Sequence, residues 1–355
     1  MNALAARIAR LIEAQGPISV AQFMAMANSA YYANRDPFGA HGDFITAPEV
    51  SQMFGELIGL WIVQCWQDQG QPSPARLVEL GPGRGTLMAD ALRAARLAPE
   101  FLKTIEVVLV ETSPALREMQ REKLSECGVK VRWQDSFDDT LADRPLFLMA
   151  NEFFDALPVR QFVKTEQGWN ERMVTADQSD TLSFAIAPIA STMSVSSARG
   201  DAKPGAIYEM SPASSAIVEH IGEAIARNGG AALIVDYGYG SEAGHGETLQ
   251  AVGKHGYKSV LENSGDVDLS AHVDFASLAD AARAGGALTF GPVNQGDLLN
   301  RLGIGARAKK LAGKNPAEAG ALAAAIERLT SPKQMGTLFK ALAITPKHTA
   351  TPPGF

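Results

Sequence analysis

The chain has 355 residues, 46% hydrophobic and 20% charged, with a formal net charge of −7 and two cysteines. This is an ordinary globular composition, too apolar for a disordered chain, and the acidic balance lacks the broad basic surface that nucleic-acid binding draws on. Cys65 and Cys127 make no metal or redox spacing and read as free thiols in a reducing compartment.

No apolar run reaches the roughly 18 residues of a membrane-spanning helix. Leu4, Ile8, Leu11 and Ile12 fall on one helical face with Arg7 and Arg10 elsewhere, which is not the continuous apolar core of a secretory signal. Such an amphipathic, Arg-containing start also mimics an organellar transit peptide, but the pattern runs straight into the next helix without a spacer, so it reads as part of the fold and the expected setting is the cytoplasm. Residues 2–29 predict two helices broken at Gly16-Pro17, the second capped by Ser19. From Tyr31 to Glu49 the sequence is aromatic, polar and non-periodic, a mixture that suits a functional loop. A strong apolar helix follows over Val50–Trp66, begun by Pro48-Glu49.

Leu77-Val78-Glu79-Leu80 then runs into Gly81-Pro82-Gly83-Arg84-Gly85-Thr86, and a helix-forming segment starts at Leu87. Strand, glycine turn and helix start together make a nucleotide-like site, because the glycines allow positive φ and close backbone approach and the first helical N–H groups are free. Thr86 stands where a dinucleotide loop carries its third glycine, and no Gly-Lys-Ser/Thr is present for a triphosphate. Ile105–Val110 is a second buried strand ending at Glu111, which with Thr112 and Ser113 is placed to accept ribose hydroxyls, a helix-capping role being the alternative. A third strand, Val129–Trp133, leads to Asp135-Ser136-Phe137, either an adenine contact or a plain turn. The fourth, Pro145–Ala150, leads to Asn151-Glu152-Phe153-Phe154-Asp155, at the crevice where doubly wound sheets bind ligands. Asn151 as a cap and the two phenylalanines as core are the bland reading.

A hairpin of Val159–Lys164 and Trp169–Val174 comes next, then a stretch over 177–205 with little signal. A strand at Ile207–Pro212, a helix over Ala213–Arg227 and a fifth buried strand, Ala231–Gly238, follow. Beyond a probable strand at Thr248–Val252 come a helix over Ser277–Ala284 and a strand at Ala287–Phe290. Three closing helices are expected near 295–302, 316–329 and 335–343. His245, His255 and His272 share no ligand spacing, so no metal is expected.

Several ungapped blocks recur together: Asp36–Gly39, Gly42–Glu49, Phe54–Leu57, Glu79–Met88, Asn151–Pro158, Asp236–Gly238, Ala271–Phe275 and Met335–Lys340. They resemble the MidA-like branch of the class I S-adenosylmethionine-dependent methyltransferases, which includes the mitochondrial protein arginine methyltransferase of respiratory complex I assembly. At Asn263-Ser264-Gly265 relatives tend to show a Pro-Gly turn instead. The resemblance implies an α/β fold with a Rossmann-like, mostly parallel seven-stranded sheet, an N-terminal helical cap, and inserted and C-terminal helical and β elements. It divides the chain into a cap and active-site loop (1–70), a core (71–260) with a β insertion at 159–210, and a completing segment (261–355).

The implied cofactor is S-adenosyl-L-methionine, held by Glu79, Gly81, Pro82, Gly83, Gly85, Thr86, Glu111, Thr112, Ser113, Asp135, Ser136, Phe137, Asn151 and Glu152. The implied partner is a protein carrying the acceptor arginine, a complex I core subunit or its bacterial counterpart, with symmetric dimethylarginine as product. A cationic guanidinium is a poor nucleophile and needs carboxylates to orient it and take its proton. Glu152 and Asp155 are the first choices, with Glu49 and Asp43 on the N-terminal loop, which would close over the site with His41. A NAD-dependent oxidoreductase, a non-catalytic assembly chaperone and a small-molecule methyltransferase are the competing readings.

Overall fold

The nearly continuous apolar runs that end in an acid or a glycine become neighbouring strands of one sheet. In the computed structural model, which describes residues 3–34, 46–190, 202–240, 246–253 and 256–355, these are β1 (Ala75–Leu80), β2 (Ile105–Val110), β3 (Val131–Gln134), β4 (Leu146–Asn151) and β5 (Gly230–Tyr239). Two more, β6 (Leu288–Asn294) and β7 (Phe339–Thr345), complete the main path β3-β2-β1-β4-β5-β7-β6 of a sheet that has eight strands among the described residues, one more than expected. β1 to β5 are mutually parallel, and β7 runs antiparallel to both β5 and β6. All six residues of β1 are buried, as expected of the middle of a sheet covered on both faces. The first and fourth strands lie side by side, so the residues just beyond Leu80 and Asn151 share one crevice.

The end of the chain departs from its periodicity. Phe339-Lys340-Ala341-Leu342-Ala343-Ile344-Thr345 reads as the end of a helix over 335–343, yet only Met335–Leu338 is helical and the rest is β7. Lying between two strands, this segment satisfies its backbone on both sides and buries six of its seven residues, which outweighs the helix preference of Ala and Leu. The helix Ile304–Lys314 and the strand Leu182–Ala190 are also additions to the sequence reading. The helix expected at Val50–Trp66 is broken at Ser51, which is extended and caps Gln52–Asp68 by accepting from the Met53 amide.

Contacts divide the molecule into two compact units, each assembled from three stretches of chain. The larger comprises Phe38–Phe154, Ser215–Gly238 and Phe275–Phe355. In its core, Leu77, Val107, Leu109, Phe147, Met149 and Leu233 from one sheet face pack with Phe54, Trp61, Leu87 and Leu92 from the helices Gln52–Asp68 and Thr86–Ala95. Those two helices meet through Gly55 and Gly59: a Cβ at Gly59 would stand 2.5 Å from Ala91 Cα. Gly59→Ala should therefore cost about 1–3 kcal/mol by overpacking, although alanine is the better helix former by about 1 kcal/mol. A higher denaturation midpoint would refute this packing. On the same helix, Glu56 is buried between Arg307, at 2.6 Å, and Arg93, at 3.1 Å. Burial opposes its ionisation, but the two guanidiniums outweigh it and hold the carboxyl below its ordinary range.

The smaller unit comprises Met1–Pro37, Asp155–Ser214 and Tyr239–Asp274. Its helices Ala3–Gln15 and Val20–Asn34 share a core with the hairpin region, through Ile8, Ile12, Phe23, Met24, Val159, Val174 and Leu269. Ser19 caps the second helix as expected, exchanging hydrogen bonds with Gln22 in a capping box. That helix continues through Tyr31–Asn34, residues expected in the loop. Ile8, Ile12, Phe23 and Met24 of the two helices thus bury their apolar face on Val159 and Val174 of the inserted segment.

Candidate active site

The site grows from the carboxyl end of β1. Gly81, Gly83 and Gly85 all have positive φ, at 60°, 52° and 79°, so each occupies a conformation costly for other residues. At Gly81 there is a second constraint, since a Cβ there would lie 2.8 Å from Phe153 Cδ2. The loop is secured from beneath by Gln120, fully buried, which donates to the Gly83 carbonyl at 2.6 Å and accepts from Trp133 Nε1 at 2.8 Å. Gln120 escaped the sequence reading because nothing in a surface-like run, Arg117 to Lys123, announces that one position faces inward.

A small pocket of about 40 Å³ opens on this loop, lined by Thr46, Pro48, Glu49, Glu79, Gly81, Pro82, Gly83, Arg84, Thr86, Leu87, Asn151 and Glu152. Three carboxylates thus converge from distant parts of the chain. Glu79 is 2% exposed. One of its oxygens is bonded by the Met88 amide in the first turn of Thr86–Ala95, and Oε2 has no partner among the described residues. Burial, with the nearby charge of Glu111, pushes its carboxyl up to about 8. Glu152 has the uncommon φ of 51° for a residue with a side chain. Its Oε1 accepts from the Ala47 amide at 2.9 Å and from Asn151 Nδ2 at 3.0 Å, and burial pushes the carboxyl up to about 7. Glu49 accepts from the Thr86 hydroxyl at 2.5 Å. The turn carrying Asn151 to Phe154 is fixed by Asp236 on β5, whose Oδ2 accepts from the amides of Phe153 and Phe154 at 3.1 and 2.9 Å.

The other expected residues are placed as follows. Glu111, at the end of β2, accepts from the Ser113 amide at 2.8 Å, and its carboxyl is raised by burial. It does not cap the next helix. That task falls to Ser113, which accepts from Leu116 N. Asp135 is exposed and paired with Arg117 at 2.5 Å, while Phe137 stands edge-on to His220. Asp155 belongs to the smaller unit, where it is buried and, behind Asp268, adds to the burial that raises the Tyr32 phenol. Asp43 and His41 lie outside the described residues. Thr46, Pro48, Arg84 and Leu87 were not singled out beforehand, since only folding brings the first two against the glycine loop. Among the described residues there is no group of three potential metal ligands and no helix long and apolar enough to cross a membrane.

A sheet in this order, a glycine turn after its central strand and acids at the ends of β1, β2 and β4 define a class I S-adenosylmethionine-dependent methyltransferase. The pocket suits the methionine end of that cofactor: its lining joins a buried carboxylate oxygen that has no partner among the described residues to a loop whose positive φ angles favour glycine. The chain belongs to the family of S-adenosyl-L-methionine-dependent methyltransferases whose model matches residues 57–293. It is 38% identical to the mouse protein arginine methyltransferase NDUFAF7, mitochondrial, over 94% of this chain and 82% of that protein. The human protein of that name is 37% identical over 94% and 81%, and the Drosophila melanogaster homolog 37% over 97% and 85%. A methyl transferase from Burkholderia thailandensis crystallised with S-adenosyl-homocysteine superposes with a TM-score of 0.88 at 29% identity, covering 99% of this chain and 94% of that one. The family match decides for S-adenosylmethionine over a nicotinamide cofactor. The mitochondrial relatives overturn the cytoplasmic placement.

Proposed function

We propose that this methyltransferase acts on an arginine side chain of a protein. The observation that carries the reading is Glu152: a strained residue at the carboxyl end of β4, with Glu49 in the same pocket and its own carboxyl near 7. The relatives named protein arginine methyltransferase support it. When bound, S-adenosylmethionine supplies an activated methyl group on a sulfonium whose thioether is a good leaving group. Glu79 and the 81–86 loop hold the amino-acid end, Glu111 with Thr112 and Ser113 the ribose, Asp135-Ser136-Phe137 the adenine, and Asn151 braces Glu152. Glu49 and Glu152 orient the guanidinium. Glu152 then takes the proton from the nitrogen that becomes methylated, a role suited to a carboxyl that titrates near neutrality.

The finer reading is symmetric dimethylation of a respiratory complex I core subunit or its bacterial counterpart. Incubating the protein with labelled donor and a lysate from a strain lacking it should label one band, with dimethylarginine in the modified peptide. Label on lysine, or only on small molecules, would refute the arginine assignment.

A further inference from the structure

Lys123 lies outside the pocket on an exposed face of the helix Pro114–Leu124, where a lysine is ordinarily a solvated charge. Its Nζ donates to Thr86 Oγ1 at 2.6 Å, and Thr86 Oγ1 donates to Glu49 Oε1 at 2.5 Å. A hydroxyl has one proton, and an ammonium has only donors. The Glu49 carboxylate only accepts, so the Thr86 hydroxyl points its proton there, and Lys123 takes up the acceptor side of the same oxygen, anchoring and polarising the hydroxyl. Charge at both ends makes both bonds of the strong kind.

The segment that Glu49 belongs to is the helix Ala47–Val50, a single turn too short to hold itself. Among the described residues, two polar ties hold it to opposite sides of the crevice: the Ala47 amide on Glu152 beyond β4, and Glu49 on Thr86 beyond β1. Pro48 and Thr46 from the same turn line the pocket. The Thr86 tie is therefore one of two that set where the Glu49 carboxylate stands.

We propose that Lys123 is a positioning residue for Glu49, acting through Thr86: it anchors and polarises the hydroxyl that holds the Ala47–Val50 turn against the glycine loop. Its bearing on catalysis rests on the role given to Glu49 above, whereas the latch itself does not. Lys123→Met removes the charge and keeps the stem. Amide hydrogen exchange over Ala47–Val50 should then quicken about tenfold, in proportion to the lost charged hydrogen bond. Affinity for S-adenosylhomocysteine should stay within about twofold and the denaturation midpoint should hardly move, as for other surface substitutions. Lys123→Arg should restore slow exchange. With a labelled acceptor in hand, Lys123→Met should lower kcat and leave the donor KM in place. Unchanged exchange in Lys123→Met would overturn the proposal whatever the acceptor proves to be; quickened exchange with unchanged kcat would keep the latch and refute the role of Glu49.

Discussion

Replacing Glu152 with glutamine is expected to lower kcat by about 10²–10⁴-fold, the range general-base catalysis contributes, with S-adenosylhomocysteine still bound to within about threefold. Glutamine keeps an oxygen for the Ala47 amide and for Asn151 Nδ2, so the turn is preserved, but it cannot take a proton. The pH profile gives an independent reading. Burial raises the Glu152 carboxyl to about 7, and the ionised form is the base, so the rate should climb through pH 7 in the native protein. A residual rate in the glutamine variant should lack that step. A third variant separates strain from chemistry. Glu152 holds φ at 51°, a conformation costing a side chain on the order of 1 kcal/mol. Glu152→Gly should abolish transfer and lower the denaturation midpoint less than Glu152→Ala, because both variants leave the Ala47 amide and Asn151 Nδ2 without their acceptor but only glycine relieves the backbone strain. Full turnover in Glu152→Gln would remove Glu152 from catalysis.

The second large effect concerns Glu79 and the cofactor. With its carboxyl raised to about 8 by burial, Glu79 is mostly protonated at pH 7 in the free protein. An ammonium group placed at Oε2 would favour the carboxylate, so binding should release close to one proton, and affinity for S-adenosylhomocysteine should rise nearly tenfold per pH unit from about pH 6 to 8 before levelling. Calorimetry in buffers of different ionisation enthalpy counts the proton directly. Stability should respond with the opposite slope. A carboxyl raised in the folded state contributes stability that is complete below its unfolded value, near 4.5, and is lost as pH rises through 8. Glu79→Gln should therefore raise the midpoint of the cofactor-free protein at pH 8 while weakening cofactor binding. A pH-independent affinity with no proton release would show that Glu79 does not meet the cofactor's cationic end.

Some of this was readable before folding, and the division has a physical basis. Glycines at 81, 83 and 85, an acid two residues before them and a further acid closing the next apolar run pointed to a loop of the cofactor-binding type. They are local devices, each fixed by backbone conformation or by position at a strand end. The apolar runs at 105–110, 146–150 and 231–235 likewise became β2, β4 and β5, since a strand buried on both faces needs nothing else to announce it. What failed were elements whose conformation depends on distant partners: β7 became a strand because β5 and β6 leave it a slot, against its own helix-forming residues.

The same line runs through the active site. The sequence by itself determined the shape of the glycine loop, because three positive φ angles in six residues are a property of the residues in the loop. Only the tertiary structure decided which carboxylates face that loop and in what state. Glu79 and Glu152 titrate near neutrality because folding removes water from them, and Glu49 meets Thr86 across 37 residues of chain. Lys123, whose surroundings in sequence are those of any solvated helix, is set against Thr86 by the packing of two helices.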